Sequence, residues 1–215
     1  MGTPPLRFET LRGAALHPLL PALARLRIAV FRDWPYLYEG DEAYEARYLR
    51  AYADAPGAAV VVALDGGTPV GIATCEPMAE THGTVRDAFL AAGLDPARYT
   101  YFGESVLLAP YRGQGAGVEF FRRREAHARQ LGTDHATFCA VQRDDGDPRR
   151  PAAYVPLDGF WRRRGYTPCP GLACTMAWRE PDGAGEIPHT LSFWQKSLAW
   201  DAPAGAPSPM PEPRA

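Results

Sequence analysis

Runs of alternating or continuous apolar residues give way along this chain to runs with helical spacing, and the switches between them outline its elements. A short strand around Leu6–Thr10 leads into a helical stretch from about Leu16 to Val30. Trp34-Pro35 interrupts it, because proline disfavours helical backbone in the residue before it. A second helix, Asp41 to about Ala53, opens on acidic residues that the positive end of a helix dipole favours. The β-formers of Ala58–Leu64 and Val70–Cys75 flank Asp65-Gly66-Gly67-Thr68, a hairpin signal. Thr84–Ala92 reads as a short helix inside a longer insertion, and Tyr101–Leu108 as one strand. From Gly115 to Leu131 the pattern is helical, with Val118, Phe121, Ala128 and Leu131 on one face and Gly132 ending it. His135–Val141 is a strand, followed by a polar loop from Gln142 to Pro151. Leu157–Arg164 predicts a short helix, and Ala173–Trp178 and Thr190–Leu198 the last strands.

The order predicts one α/β domain over residues 1–200. With 46% hydrophobic and 22% charged residues, its 215 residues suffice for a full core without disulfides. No apolar run is expected to reach the roughly 20 residues of a membrane helix. Residues 201–215 hold five prolines and little to bury, and read as a disordered tail. The net charge of -2 argues against a nucleic-acid partner. Lys196 is the sole lysine beside 22 arginines, a bias given no functional weight. Cys75, Cys139, Cys169 and Cys174 are scattered and the first residues lack an apolar leader core, so a reducing cytoplasm is expected.

Chemistry concentrates in Tyr111-Arg112-Gly113-Gln114-Gly115-Ala116-Gly117, between a strand and a helix. Glycines let the backbone approach a ligand, and the free N–H groups of a new helix favour an anion such as a pyrophosphate. A phosphate-binding P-loop would need Gly-Lys-Ser/Thr, and no lysine is near. A dinucleotide fingerprint fails as well, since its third glycine would fall on Val118 or Phe120. What the residues do fill is Arg-x-x-Gly-x-Gly, with Arg112, Gly115 and Gly117.

This loop resembles the acetyl-CoA pyrophosphate loop of the GNAT superfamily of N-acetyltransferases. Phe160-Trp161-Arg162-Arg163-Arg164-Gly165-Tyr166 is similar to that family's second signature, Phe-Tyr-x-x-x-Gly-Phe. The resemblance covers Tyr101–Tyr166 by motif and Leu6–Leu198 by element order. It implies a single domain with a mixed, mostly antiparallel sheet of six to seven strands and helices on both faces. It implies acetyl-CoA as cosubstrate, in a gap between splayed strands here corresponding to Phe102–Leu108 and His135–Val141. The amides of Gly113, Gln114, Gly115, Ala116, Gly117 and Val118 would hold the pyrophosphate, with Arg112 and Trp161 beside it. The Leu107 N–H would polarise the thioester carbonyl. The amine would attack directly, without a covalent enzyme intermediate.

Such an amine must first lose a proton. Glu104 stands where family members often carry a carboxylate, as base or proton relay, or as a substrate-binding or solvated group. Strand alternation puts it on the side of Phe102 and Val106 if no bulge intervenes. Trp161 replaces the tyrosine that often protonates the departing thiolate, and an indole is no practical acid. Tyr154 either takes that role or is structural.

Arg122-Arg123-Arg124 fans around a helix and reads as a solvated face, and His127 as a surface residue. No cysteine pair has zinc spacing, so no metal is expected. Residues Phe31–Gly57 hold six acids against three arginines among Trp34, Tyr36, Tyr38, Tyr44, Tyr48 and Tyr52. That mixture suits a cationic amine, or is an ordinary amphipathic helix. The expected protein is thus an N-acetyltransferase acting on a small-molecule or peptide amine, monomeric or homodimeric, with neither nucleic acid nor membrane as partner. The alternative is a catalytically weak acyl-CoA-binding or regulatory module on the same fold.

Overall fold

The computed structural model describes residues 5–81, 83–181 and 183–198; the expected tail at 201–215 lies outside them. Strand β1 (Arg7–Leu11) is followed by a 3-10 segment (Gly13–Leu19) that runs into helix α1 (Leu20–Phe31). By length and composition Gly13–Phe31 is apolar enough to cross a membrane, contrary to the expectation of no such run. Its Leu16, Leu20, Leu23 and Leu26 are instead packed into the protein core. Helix α2 (Glu42–Asp54) starts where Asp41 accepts the Tyr44 N–H at 2.8 Å, which satisfies one orphan donor of the first turn.

Strands β2 (Ala59–Asp65) and β3 (Thr68–Pro77) form the expected hairpin. Gly66 and Gly67 take φ of 55° and 97° at its turn, a conformation that favours glycine. After α3 (Gly83–Ala91) come β4 (Tyr99–Tyr101), β5 (Ser105–Leu107), α4 (Ala116–Leu131) and β6 (His135–Val141). A one-turn helix, α5 (Asp158–Arg162), precedes the long hairpin β7 (Thr167–Arg179) and β8 (Glu186–Ser197). The sheet order is β1-β2-β3-β4-β6-β8-β7, with β5 paired to β3 alone. Every pairing is antiparallel except β4 with β6.

The sheet therefore has eight strands, not six or seven, because the single strand expected over Tyr101–Leu108 divides into β4 and β5. Helices α1 and α2 cover one face, where Leu23 and Leu49 pack with Val60, Val62, Ile72 and Val106. Helix α4 covers the other, through Phe120 against Val61 and Ala73 and Phe121 against Phe138. Phe89 of α3 packs on Tyr99 and Phe193.

Candidate active site

The division of the strand creates the site. Phe102 packs with Phe121 of α4 on one face of the sheet, whereas Val106 joins the α1–α2 core on the other. Strict alternation would put residues 102, 104 and 106 on one side, so an extra residue is inserted at the break. Glu104 goes with Val106 and not with Phe102: it meets Arg27 of α1 and Tyr48 of α2. Past the break β5 stays with β3 while β6 continues along β8, and a gap opens between them.

Register shows what faces that gap. Thr74 N–H donates to Glu104 O at 3.1 Å and Leu108 N–H to Val70 O at 3.0 Å. Pairs alternate in an antiparallel ladder, so Leu107, opposite Gly71, is a non-hydrogen-bonded position whose N–H points away from β3. Its carbonyl accepts Arg112 Nε at 3.1 Å. A cleft of about 1490 Å³ occupies the gap, lined by Glu104, Leu107, Phe138, Tyr154 and Trp161 among others.

The glycine loop closes one end. Gly113 and Gly115 have φ of 78° and 88°, and nothing lies within 4 Å of where a Cβ would stand. Two left-handed glycines with open space beside them, at the start of the sixteen-residue α4, make a cradle that an anion can enter. Arg112, Gly113, Gly115, Ala116, Gly117 and Val118 all line the cleft. Gln114 turns its side chain back to the Pro110 carbonyl at 3.0 Å. Gly117 has a different reason to be glycine: a Cβ there would sit 2.9 Å from Phe160 Cζ, so it lets α4 pack against the second motif. Tyr111 anchors the loop by donating to Asp65 Oδ2 at 2.7 Å. The Leu107 N–H faces the gap next to this cradle.

At the other end the α1–α2 connection supplies Asp33, Trp34 and Tyr36. Arg143 ties it down, donating to Pro35 O and Tyr36 O, both at 2.6 Å, while pairing with Glu180. Tyr154 stands edge-on to Trp34, its centroid 6.1 Å away, and burial pushes its phenol pKa upward. Trp161 packs between Phe138 and Trp194. The acid-and-aromatic region thus divides: Trp34 and Tyr36 face the cleft, Tyr44 is exposed, and Tyr48 and Tyr52 turn inward.

Glu104 is buried and ion-paired at 2.5 Å, Arg27 Nη1 to its Oε1, and its Oε2 accepts the Tyr48 hydroxyl at 2.9 Å. Glu45, fully buried, holds the other side of Arg27. Burial opposes the Arg27 charge, but Glu104, Tyr48 and Glu45 keep its pKa well above the ordinary value. The sequence had no signal for this, since residues 27, 45 and 104 meet only in the fold.

Two expectations are corrected. Arg124 is not solvated but buried beneath the break, where it donates to Glu104 O at 3.2 Å, Thr74 O at 3.3 Å and Ser105 Oγ at 2.8 Å. It satisfies carbonyls at the irregular backbone, and burial pulls its pKa down. His127 is likewise buried, one turn along, with Nε2 2.9 Å from Gly57 O. A helix turned with one face to the sheet buries residues three and four apart, and on α4 these include Arg124, Glu125 and His127.

A strand pair opened beside a glycine-cradled helix N-terminus is the site of an acyl-CoA-dependent transferase fold. Residues 23–152 match the family model described as the Acetyltransferase (GNAT) family, and the chain belongs to that family. The second signature, Phe160–Tyr166, lies beyond the matched residues. A Salmonella typhimurium structure holding its cofactor acetyl-CoA has a TM-score of 0.57 at 14% identity, over 96% of this chain and 99% of that one. A ribosomal-protein-alanine N-acetyltransferase from Brucella melitensis gives 0.58 at 16% identity, over 89% and 99%. An aminoglycoside 6'-N-acetyltransferase complexed with coenzyme A gives 0.56 at 14%, over 97% and 99%. These likenesses are likenesses of fold. No curated protein sequence matches the chain.

Proposed function

We propose that the protein is an acetyl-CoA-dependent N-acetyltransferase that moves an acetyl group directly to a primary amine. The unpaired edge of β5 carries this reading: its Leu107 N–H is free to donate into the gap, as an oxyanion-stabilising group must. Bound acetyl-CoA supplies the activated acetyl group. The amides of residues 113–118 and the Arg112 guanidinium hold its pyrophosphate end, and Trp161 lines the path of its arm. Glu104, which lines the cleft, takes the proton of the incoming ammonium. The Tyr154 hydroxyl donates to the leaving thiolate.

The acceptor is a small-molecule or peptide amine, drawn by Glu104, Asp33 and the aromatic wall of Trp34, Tyr36 and Tyr154. We infer that the protein works in the cytoplasm as a monomer or homodimer, without a metal, nucleic acid or membrane. Thiol release from acetyl-CoA across a panel of primary amines tests the activity. Glu104→Gln is expected to lower kcat about 10²–10⁴-fold with CoA affinity kept. Tight CoA binding with no thiol release for any amine would instead leave the regulatory module, the reading that Trp161 in the usual acid position favours.

A further inference from the structure

We propose that Arg143, held by Glu180, is a positioning residue for the acceptor: together with Trp178 it fixes the wall of Trp34 and Tyr36 and so sets the affinity for the amine. The proposal rests on the reading of that wall as the acceptor's side of the cleft. Residues 32–41, which carry the wall, join α1 to α2 without a helix or strand of their own. Within this stretch Leu37 N–H donates to Asp33 O at 3.0 Å, and Tyr38 N–H reaches back to Phe31 O at 2.8 Å. Leu37 has a φ of 51°, a left-handed backbone angle that side chains other than glycine rarely take. Such an angle persists where the surroundings impose it.

The surroundings come from two parts of the chain more than a hundred residues on. Arg143, just past β6, reaches three acceptors at once. Its Nε donates to Pro35 O at 2.6 Å, its Nη2 to Tyr36 O at 2.6 Å and its Nη1 to Glu180 Oε1 at 2.5 Å. Trp178, near the end of β7, donates its indole N–H to the same Tyr36 carbonyl at 3.1 Å. Beside it, Glu39 N–H donates to Arg179 O at 2.8 Å. Strand β7 lies at the edge of the sheet, so one side of its backbone is open to this bond.

Glu180 keeps Arg143 in place. It is 8% exposed, and its second oxygen pairs with Arg149, which Asp147 grips at 2.9 Å through Nε and 2.6 Å through Nη2. Burial pushes the Glu180 pKa up, but Arg149 and Arg143 outweigh it and hold the carboxyl below its ordinary value. His189 stacks on Trp178, with ring centres 3.7 Å apart and planes at 16°, which steadies the indole. The planar fork of an arginine can serve two carbonyls and a carboxylate together, and a lysine ammonium does not match that geometry. Arg143 lines the cleft, yet each of its three nitrogens already has an acceptor, so it acts on the amine through the wall. Glu180 and Trp178 stand behind the wall, outside the cleft lining.

The test compares Glu180→Gln and Trp178→Phe with the unaltered protein, using thiol release with the most active amine of the panel, CoA titration and amide hydrogen exchange. Glu180→Gln takes the counter-charge from Arg143 and should raise the amine KM about tenfold, since small misplacements of a binding wall are costly. Trp178→Phe removes one donor to Tyr36 O and should raise it about threefold. In both, kcat should stay within about twofold and CoA affinity should not change, the pattern of lost binding that substrate and transition state share. Amides 37–39 should exchange faster in both. An unmoved amine KM in folded Glu180→Gln would overturn the proposal, as would an equal loss of kcat and CoA affinity, which would mean a general structural role. Should Glu180→Gln fail to fold, Trp178→Phe decides by the same split. Absence of thiol release from the unaltered protein with every amine would instead overturn the transferase reading, and this inference with it.

Discussion

Arg27 Nη1 and Glu104 Oε1 lie 2.5 Å apart in the core, although one residue comes from the first long helix and the other from an interrupted strand. The pair links the acceptor cleft to the α1–α2 layer, and Glu45 completes it with a second carboxylate. Arg27→Met would leave two buried carboxylates without their common cation. Breaking a buried pair in this way costs about 3–5 kcal/mol. Urea denaturation should show a loss of that size, and adding Glu45→Gln should recover part of it. Equal stability of Arg27→Met and the unaltered protein would mean the pair is not formed.

The two glycines of the cradle should fail differently. Gly115→Ala places a side chain at a φ of 88°, which costs about 1–2 kcal/mol in backbone strain, and should weaken CoA binding. Gly117→Ala meets Phe160 instead, so its effect should appear first as a lower Tm and be relieved by Phe160→Leu. Isothermal titration with CoA alongside thermal melts separates them. If Phe160→Leu relieves nothing, the packing account of Gly117 is wrong.

Tyr154→Phe keeps the ring that meets Trp34 and removes only the hydroxyl. With burial raising its pKa, the phenol is a proton donor throughout the neutral range. We expect kcat to drop about tenfold to a hundredfold, since a thiolate is already a fair leaving group. A folded variant with full kcat would leave Tyr154 as an acceptor-wall residue.

Glu76 makes stability depend on pH in an unusual direction for a carboxylate. Its folded pKa, about 7, lies above the ordinary value of 4.5, so the folded protein keeps a proton that the unfolded chain releases. The stabilisation is complete below pH ~4.5 and is lost as pH rises through ~7, amounting to at most about 3 kcal/mol before solvent screening. Glu76→Gln should therefore be more stable than the unaltered protein at pH 8, by about 1–3 kcal/mol, with the gap closing toward pH 4.5. Melts at the two pH values decide it, and a constant gap would mean that Glu76 titrates normally.

Local sequence determined most of the elements and one end of the site. The hairpin at Asp65–Thr68, the strand His135–Val141 and the helix ending at Gly132 follow from turn residues, alternation and a glycine stop, all of which act within a few residues. The Arg112–Gly117 loop was legible for the same reason, because an anion cradle is made of contiguous backbone. Only the tertiary structure decided where Tyr101–Leu108 breaks, since a bulge depends on which neighbouring strands claim each half: β4 lies between β3 and β6, whereas β5 keeps β3 alone. That break turned Glu104 away from Phe102 and toward Arg27 and Tyr48, and it put Arg124 in the core under the freed carbonyls. Charged residues read alone look solvated; burial of a charge is set by partners that come from elsewhere in the chain, and those partners meet only when the layers close.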